Sequence, residues 1–356
     1  MANRVLVINP GSTSTKLGVY ENNGEVFCIN IAHSAEELAK YHTIADQLPF
    51  REKTIRNSIK QHGLDLESVS CVVGRGGLLR PIPGGVYKVS EAMKADLASA
   101  RYGEHASNLG ALIADALAKE IAVPAFIADP VVVDELSDVA RIYGHKLFVK
   151  SSIFHALNQK AVARRWAEEH KKAYEDCVLA VAHMGGGVSV GLHSQGKVVD
   201  VNNALNGEGP FSPERAGTLP AGALVKLCFS GKYTEKQILK MITGQGGIVS
   251  LADTNDMRVL EDKKNANDAG AALIYEAFIY NVGKTIGALA AAARGKLDAI
   301  ILTGGIAHGK AVVDGIKAMV GWMAPVTVYP GEGELEALAA AGLRGLAGEA
   351  MEYDAV

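Results

Sequence analysis

The chain has 356 residues, of which 48% are hydrophobic and 21% charged, and its formal net charge is -3. This length and apolar content exclude a disordered chain and are sufficient for two domains with separate cores. The near-neutral charge argues against binding to nucleic acid or to an anionic membrane. The four scattered cysteines show no C-x-x-C spacing, which argues against a zinc site or a redox pair, and we expect a cytoplasmic protein.

The chain begins with three short apolar runs joined by turns. Residues 5–8 end at a Pro-Gly turn, and residues 17–20 and 26–31 continue the pattern after small polar residues. An Asn-Asn-Gly sequence at 22–24 separates the last two runs and is a signal for a hairpin. The segment therefore predicts a three-stranded meander.

Helical patterns then alternate with short apolar runs. Helices are predicted near residues 55–61 and over 109–121, and strands over 69–73 and 125–128. This alternation is typical of proteins in which helices cover the faces of a largely parallel sheet. We therefore predict a layered α/β fold for this part of the chain.

A second meander follows and repeats the layout of the first. Its parts in order are a strand at 178–182, a turn at 183–187, a strand at 188–192, a hairpin at 194–196 and a strand at 197–201. The two sequences differ, but the order of strands and small-residue turns is the same. An internal duplication is the simplest explanation, and it places a domain boundary near residue 152.

The last third of the chain predicts helices and two further strands. The helices cover 221–229, 235–242, 271–293 and 335–346, and the strands cover 299–302 and 326–328. The helix at 271–293 is long and rich in alanine, but Glu276 and Lys284 interrupt it. We interpret it as a buried helix and not as a membrane span.

Three small-residue turns follow directly after predicted strands, at residues 9–16, 183–187 and 303–309. Glycines in such turns let the backbone approach phosphate oxygens, while amide N–H groups, hydroxyls and a lysine supply donors. Each turn alone is also explained as a tight connection between strands. The chain has three such turns, and two of them lie at matching places of the repeat. Together they predict a polyphosphate bound between two halves of the protein.

Polar residues in irregular positions are candidates for phosphoryl transfer, which depends on charge neutralisation and alignment. Arg75 and Arg215 lie in Gly- and Pro-containing turns, where functional residues are common, although surface arginines are usually solvated. Asp129 follows the strand at 125–128, where an acid serves a metal or stabilises a turn. His155 alone is also explained as a core histidine.

These motifs together resemble the acetate kinase family. Residues 5–16 resemble its opening signature, hydrophobic residues followed by Asn-x-Gly-Ser-x-Ser-x-Lys, and residues 183–189 resemble its His-Leu-Gly-Asn-Gly-x-Ser signature. Gly186 stands where the family has asparagine, which removes one side-chain contact to phosphate. Residues 212–217 resemble the segment with the family's catalytic arginine.

The resemblance implies a role for each matching residue. It implies that the catalytic residues are Arg75, Asp129, His155 and Arg215. It implies that ATP or ADP is bound by Asn9, Ser12, Ser14, Lys16, His183, Gly185, Gly186, Gly187, Asp256, Met257, Arg258, Gly304, Gly305 and Ile306. It implies an acyl pocket formed by Arg75, Gly76, Gly77, Phe154 and Pro210. It implies magnesium ligands at Asp129 and Glu334, with Glu332 as the alternative to Glu334.

The family's fold is also implied. It is α/β, with two duplicated βββαβαβα domains of the ribonuclease H-like, actin-type ATPase kind and ATP in the interdomain cleft. The expected domains are residues 1–152 with about 331–356, on the acyl and phosphate side, and residues 153–330, which bind nucleotide. The C-terminal helix would cross back to the first domain, and a homodimer or higher homo-oligomer is expected.

The sequence resembles the butyrate kinases of the family more than its acetate kinases. The turn at 74–85, which contains Gly76 and Gly77, has the butyrate kinase form, whereas acetate kinases have His-Arg followed by two valines. We hypothesise that the two glycines make room for a longer acyl chain. The reaction would convert ATP and butyrate to ADP and butanoyl phosphate, and the alternatives are another short-chain or branched-chain acid kinase, a non-catalytic ATP-binding module and a sugar kinase.

Overall fold

The computed structural model describes residues 3–22 and 24–355. The predicted hairpin at 22–24 includes Asn23, which lies outside the described residues. Contacts between Cα atoms divide the chain into two compact units. The first unit is Met1–Val133 with Gly333–Val356, and the second is Asp134–Glu332.

The described residues form strands in two sheets, together with helices that pack on them. The strands are β1 Arg4–Pro10, β2 Ser14–Glu21, β3 Gly24–Ala32, β4 Cys71–Arg75, β5 Val86–Lys88, β6 Ala125–Ala128, β7 Val178–Met184, β8 Val188–Ser194, β9 Lys197–Val201, β10 Ala299–Gly304, β11 Val326–Pro330 and β12 Met351–Glu352. The helices are α1 Ala35–Leu38, α2 Leu48–Gln61, α3 Glu91–Ala98, α4 Asn108–Glu120, α5 Asp138–Arg141, α6 Ala156–Glu169, α7 Ala221–Cys228, α8 Glu235–Ile242, α9 Ile248–Ala252, α10 Met257–Asn265, α11 Ala269–Ala292, α12 Lys310–Val320 and α13 Glu334–Arg344.

The sheet of the first unit has the strand order β12-β5-β6-β4-β1-β2-β3. The antiparallel strands β1, β2 and β3 form the predicted meander, and β4 and β6 continue the sheet in parallel with β1. The short strands β5 and β12, which the sequence analysis did not predict, lie at the other edge. The carboxyl ends of β1, β4 and β6 therefore meet at one edge of this sheet.

The sheet of the second unit has the strand order β11-β10-β7-β8-β9. Strands β7, β8 and β9 are an antiparallel meander, and β10 and β11 run parallel to β7. This order and these directions repeat those of β6-β4-β1-β2-β3 in the first unit. The duplication predicted from the two meanders is confirmed at the level of sheet topology.

Side chains alternate between the two faces of the first sheet, as expected for buried strands. Leu6 and Ile8 of β1 pack in one apolar cluster with residues of α2 and α4, including Ile55 and Leu109. On α13, a side-chain carbon at Gly342 would lie 2.7 Å from a methyl carbon of Val5. Helices therefore cover both faces of the sheet, and the polar residues at its edge are fixed by a packed core.

The second sheet is covered in the same way. Ala180 and Ala182 of β7 belong to a cluster that includes residues of α11 and α12, such as Phe278 and Ile316. Leu179 and Val181 point to the other face, where they pack with residues of α6. Each unit thus has its own core on both sides of its sheet, as the length and composition of the chain predicted.

The C-terminal helix α13 packs on β1, β2, β4 and β6, so the chain returns to the first unit after the second is complete. This return agrees with the path that the family resemblance implies. Residues 134–152, which the sequence analysis assigned to the first domain, pack with the second unit. The domain division at residue 152 stays a prediction.

Helix α11 is the long alanine-rich helix predicted at 271–293. Asp268 caps it by accepting hydrogen bonds from the backbone N–H groups of Gly270 and Ala271. Its buried residues, including Tyr275 and Phe278, pack in the core of the second unit. Within residues 3–22 and 24–355, no helix combines the length and hydropathy needed to cross a membrane.

Candidate active site

Asn9, Arg75 and Glu334 form one hydrogen-bonded group in the first unit. They come from the ends of β1 and β4 and the start of α13, so the fold brings together residues far apart in sequence. Asn9 Nδ2 donates to Glu334 Oε2 at 2.6 Å, and Arg75 Nη1 lies 2.8 Å from Glu334 Oε1. Because the Arg75 side chain keeps 20% of its surface exposed, its guanidinium can bind a further anion.

The first small-residue turn is supported by the fully buried side chain of Arg51 on α2. Arg51 Nη1 donates to Gly11 O at 2.8 Å and to Ser14 O at 3.2 Å, and Nη2 donates to Ser12 O at 3.0 Å. Burial lowers the pKa of the Arg51 guanidinium from its usual value. The turn therefore has its carbonyl oxygens bound by protein, while the Ser12 side chain is exposed to solvent.

Asp129 follows β6 directly and is buried. Its Oδ1 accepts a hydrogen bond from Gly85 N at 2.7 Å, and its own backbone N–H donates to Gly85 O at 2.9 Å. The φ angle of Asp129 is +38°, which is uncommon for a residue with a side chain and often marks a functional position. The magnesium role of Asp129 stays a prediction.

The second small-residue turn connects β7 and β8 in the second unit. Gly185 N donates to Gly187 O at 2.9 Å, and Ser212 Oγ donates to Gly186 O at 2.8 Å. A side-chain carbon at Gly187 would overlap Arg215 Nη1. The absence of a side chain at Gly187 therefore allows the guanidinium of Arg215 to pack directly on the turn.

The loop that contains Arg215 is fixed by hydrogen bonds. Arg215 Nη1 donates to Ala204 O at 3.0 Å, and Ser212 N donates to Arg215 O at 2.9 Å. Burial lowers the pKa of the Arg215 guanidinium, and the nearby Glu214 carboxylate opposes that shift. The guanidinium stays charged at neutral pH because its intrinsic pKa is far higher.

His155 precedes α6 and caps that helix. Its Nδ1 accepts from Asn158 N at 3.4 Å, and its ring centroid lies 4.1 Å from that of His183. His183 is buried, whereas His155 is half-buried and can be reached by a ligand. The predicted acyl-pocket residues Phe154 and Pro210 are both buried.

The second unit contains a cavity of about 670 Å³ beside the second and third turns. It is lined by seven residues that the sequence analysis assigned to nucleotide binding: Gly185, Gly186, Asp256, Met257, Arg258, Gly305 and Ile306. Gly304 has φ of +89°, and a side-chain carbon there would overlap the backbone carbonyl of Met184. Gly304 therefore permits the close approach of two strands that positions Gly305 and Ile306.

Asp256 and Arg258 form an exposed ion pair at the start of α10, on the rim of this cavity. Asp256 Oδ1 caps the helix by accepting from Arg258 N at 2.9 Å, and Arg258 Nη2 lies 2.7 Å from Asp256 Oδ2. Hydrogen bonds from Arg258 lower the pKa of Asp256 to about 2. Met257 between them is buried and faces the same cavity.

Comparisons with known proteins identify the family. The acetokinase family model matches residues 133–321. A probable butyrate kinase from Clostridium botulinum (strain Eklund 17B / Type B) is 54% identical over 349 residues, 98% of each chain. Butyrate kinase 1 from Clostridium acetobutylicum is 54% identical over 352 residues, 98% of this chain and 99% of the relative. The chain belongs to the acetokinase family.

The fold of this acetokinase family chain also resembles solved structures. Acetate kinase from Porphyromonas gingivalis superposes with a TM-score of 0.77 at 18% identity, covering 97% of this chain and 100% of that chain. At this identity the likeness is evidence for the fold alone. The α/β fold class with two duplicated ribonuclease H-like domains is confirmed.

Some of the predicted site residues of this acetokinase family chain lie together within each unit, whereas none of the side-chain contacts described above joins Ser12, Lys16 or Asp129 to these groups. In the first unit, Asn9, Arg75 and Glu334 form one group. In the second, His155 and His183 are adjacent, and Arg215 packs on the glycine turn. Glu334 has both carboxylate oxygens engaged by Arg75 and Asn9, so the choice between Glu334 and Glu332 as a magnesium ligand stays open.

The hypothesis that Gly76 and Gly77 make room for a longer acyl chain is wrong. A side-chain carbon at Gly77 would lie 2.5 Å from Asn108 Oδ1, and one at Gly76 would lie 2.7 Å from the side chain of Pro130. Their missing side chains therefore permit close packing against α4 and Pro130 and do not open space for an acyl chain. That these glycines line the acyl pocket stays a prediction.

Three residues that support the site in this acetokinase family chain were not predicted from the sequence. Arg51, Asn158 and Ser212 hold the histidines and the turns through hydrogen bonds over 25 to 40 residues. Arg51 lies in a segment rich in charged residues, where the sequence predicts a solvated arginine. Its burial could have been predicted from its position on the same helix face as the apolar Ile55, four residues later.

Proposed function

We propose that this chain is a carboxylate kinase that transfers a phosphoryl group between ATP and a short-chain fatty acid, with butyrate as the preferred acid. The observation that carries the proposal is its near-full-length similarity to relatives named butyrate kinases. The polar residues of both units supply the cationic and hydrogen-bonding groups that the reaction needs.

Arg75 would bind the substrate carboxylate. Its guanidinium already binds the carboxylate of Glu334 at 2.8 Å and remains partly exposed. A planar guanidinium presents parallel N–H donors that match two carboxylate oxygens. A fatty-acid carboxylate therefore has the charge and shape to share Arg75 with Glu334, while Asn9 holds the other oxygen of Glu334.

His155 and Arg215 would stabilise the transferred group. Phosphoryl transfer spreads negative charge over three equatorial oxygens, and preformed donors in a protein site stabilise that charge. Arg215 is held on the glycine turn by its contacts with Gly187 and Ala204, so little reorganisation is needed. Because a carboxylate is already ionised at neutral pH, no general base is required.

The nucleotide would occupy the cavity of the second unit, with its phosphates toward the glycine turn. Gly185 and Gly186 of the second turn and Gly305 and Ile306 of the third line this cavity, which supports the placement. Asp129 and Glu334 offer carboxylate oxygens, the donor type that magnesium prefers, and would hold the ion directly or through water. Bound magnesium would neutralise charge on the phosphates.

The reaction would be a single in-line displacement. A carboxylate oxygen forms a bond to the γ-phosphorus, the bond from that phosphorus to the β–γ bridging oxygen breaks, and ADP leaves with the electron pair. The acyl phosphate retains the phosphoryl group, and the chemistry is reversible. Asn9, Ser12, Ser14 and Lys16 would bind the β- and γ-phosphates, and a homodimer and a cytoplasmic location stay predictions.

A substrate panel tests the proposal. The purified protein is incubated with ATP, magnesium and hydroxylamine, which traps an acyl phosphate as a hydroxamate, and with acetate, propionate, butyrate, isobutyrate, valerate or isovalerate. We expect a maximum with butyrate. A maximum with a branched or shorter acid would keep the mechanism and change the substrate, whereas no hydroxamate with any acid, despite ATP binding, would favour a non-catalytic nucleotide-binding module. Phosphorylation of glucose or glycerol would instead indicate a sugar kinase.

Two arginine variants test whether Arg75 binds the carboxylate of the acid. Arg75→Gln should raise the KM for butyrate about tenfold to a hundredfold, because a charge-assisted contact to the carboxylate is lost. Arg101→Gln is the matched control, since Arg101 is exposed and pairs with Asp96 on the surface. An unchanged KM in Arg75→Gln would remove Arg75 from acid binding.

A further inference from the structure

Two histidines and a glutamate of the second unit place metal-binding atoms close together. His155 lies at the start of α6, His183 near the end of β7 and Glu332 shortly after β11. One ligand atom from each residue lies within 4.8 Å of the other two. The group thus combines two imidazole nitrogens with one carboxylate oxygen, a donor set that proteins use for zinc and related cations.

Asn158 orients all three residues. Its Nδ2 donates to the backbone carbonyl of Glu332 at 2.6 Å, and its backbone N–H donates to His155 Nδ1 at 3.4 Å. Its Oδ1 lies 2.7 Å from His183 Nδ1. Because the residue is buried, these three contacts fix the positions of both histidines and of the segment that contains Glu332.

The hydrogen bonds of Asn158 also determine the tautomer of His183. A backbone carbonyl can only accept, so the amide nitrogen of Asn158 must face Glu332 and its oxygen must face His183. His183 Nδ1 must therefore carry a proton to donate to that oxygen. In the neutral ring the lone pair is then on Nε2, the arrangement typical of a metal-binding histidine whose other nitrogen donates to a protein oxygen.

The Nε2 atom of His183 and the carboxylate of Glu332 face a common point beside the glycine turn. An ideal side-chain carbon built on Gly185 lies 3.5 Å from His183 Nε2 and 3.9 Å from Glu332 Oε1. Gly185 has no such carbon, so the space between the two ligand atoms is not filled by the turn. Glu332 is exposed, and its side chain can rotate to shorten the remaining distances.

We propose that His155, His183 and Glu332 bind one divalent transition-metal cation of the zinc class. This site is separate from the magnesium that accompanies the nucleotide, for which Asp129 and Glu334 would then remain. Imidazole nitrogens favour zinc, cobalt or nickel over magnesium, which prefers oxygen ligands. A three-residue set leaves a coordination position for water or an anion. Coordination by His155 Nε2 requires the neutral tautomer that carries its proton on Nδ1, so the long 3.4 Å contact from Asn158 N to that nitrogen would be given up when the cation binds.

The site has a consequence for activity that rests on the proposed function. The cation would occupy His155, the residue assigned to an equatorial oxygen of the transferred phosphoryl group. Zinc should therefore inhibit phosphoryl transfer at a constant excess of magnesium, and a chelator should restore it. Binding of the cation is independent of this consequence and can be measured without any substrate.

The test is a Co²⁺ titration of chelator-treated full-length protein in excess Mg²⁺, followed by visible absorption, with Zn²⁺ binding measured by calorimetry. We expect one cation per chain, with the intense visible bands of low-coordinate Co²⁺. Glu332→Gln should weaken binding at least tenfold, and Asn158→Leu should weaken it about tenfold to a hundredfold by releasing the ligands. His145→Gln, which removes an exposed histidine elsewhere in this unit, is the matched control and should bind as the unmodified protein does.

The outcomes are separable from those of the kinase test. Equal Co²⁺ affinity in the unmodified protein, Glu332→Gln and His155→Gln would overturn the site, as would displacement of Co²⁺ by millimolar Mg²⁺. Either result would leave hydroxamate formation unaffected. Conversely, a failure to form hydroxamate would overturn the kinase proposal and leave the absorption titration to decide the metal site.

Discussion

The two small-residue turns that follow β1 and β7 have the same place in the duplicated fold, but they are supported differently. In the first unit, Arg51 extends from α2 and binds three carbonyl oxygens of the turn. In the second unit, Ser212 and Arg215 extend from a loop and contact Gly186 and Gly187. The strand order is therefore common to both units, whereas the side chains that fix the turns are not.

This difference assigns a structural role to the arginine of the first unit and a chemical role to the arginine of the second. Arg51 is fully buried and can act only through the turn it holds. Arg215 is half-buried, and the guanidinium that packs on Gly187 is also the one we propose for the transferred phosphoryl group. Substitutions at these two arginines should consequently affect different measurements.

Arg215→Gln should have the largest effect, a fall in kcat of about a hundredfold to a thousandfold, because a preformed cation at the transferred group is lost. The free energy of unfolding should change little, since Arg215 makes one side-chain hydrogen bond, to Ala204 O. Hydroxamate kinetics at saturating ATP and butyrate, with urea unfolding, measure both quantities. Arg294→Gln, at an exposed position, is the control. A kcat within threefold of the unmodified enzyme would exclude Arg215 from the chemistry.

Arg51→Met should instead lower the free energy of unfolding by about 3 kcal/mol, because three turn carbonyls lose their donor inside the protein. The KM for ATP should rise as the turn becomes less ordered, while kcat at saturating ATP falls much less than in Arg215→Gln. Arg51→Lys should recover only part of the stability, since one ammonium cannot reproduce the fork of a guanidinium. A pure loss of kcat with unchanged stability would contradict the comparison.

The strands of both meanders could be predicted from the sequence because their information is local. Apolar runs at 5–8 and 178–182, followed by small polar residues, predict a buried strand and a turn without knowledge of the rest of the chain. The short strands Val86–Lys88 and Met351–Glu352 could not be predicted, because they have only 3 and 2 residues and no periodicity to detect. Their pairing depends on neighbours far away in the sequence.

The residues that support the site could not be predicted either, because their contacts join distant parts of the sequence. Asn158 joins His183 to the backbone of Glu332, which is 174 residues away, and no pattern around Asn158 indicates that contact. Arg75 and Arg215 could be selected as candidates because they lie in Gly- and Pro-containing turns, and their roles stay predictions. The packing role of Gly76 and Gly77 could not be predicted, because a glycine that makes room and one that permits close contact look alike in a sequence.

Acid should destabilise the first unit through His33, because His33 and Arg51 both form a hydrogen bond with Thr15 Oγ1. The ring hydrogen-bonds with Thr15 Oγ1 at 2.9 Å, and burial with the nearby Arg51 charge lowers the pKa of His33 to about 4 from 6.5. The unfolded chain therefore binds more protons between pH 6.5 and 4, so stability is complete above pH 6.5 and falls as the pH is lowered through this window.

Between pH 7 and 5 the unmodified protein should lose about 2 kcal/mol more unfolding free energy than His33→Gln, which cannot titrate there. Urea unfolding at several pH values measures the difference. The pKa of His193 in the second unit is also lowered by burial, but it is common to both proteins and cancels. Parallel pH profiles would show that His33 does not contribute.

The smallest effect should come from a pair of alanine substitutions that compare the turns directly. A side-chain carbon at Gly187 would overlap Arg215 Nη1, the mobile end of a long side chain, so Gly187→Ala should fold and displace the guanidinium. We expect kcat to fall about tenfold, less than in Arg215→Gln because the charge remains nearby. A side-chain carbon at Gly11 would approach Ser14 O only to 3.5 Å, an ordinary contact, so Gly11→Ala should be nearly silent.

This pair discriminates between two explanations of the glycines in the turns. If both substitutions reduce kcat equally, the glycines serve the approach of phosphate to the backbone, and the difference in support is irrelevant to catalysis. If only Gly187→Ala reduces kcat, with unfolding free energies close to the unmodified value for both, the second turn acts by positioning Arg215. The first turn would then depend on Arg51 for its shape and tolerate a methyl group at Gly11, because Arg51 holds the turn from inside the protein and itself takes no part in the chemistry.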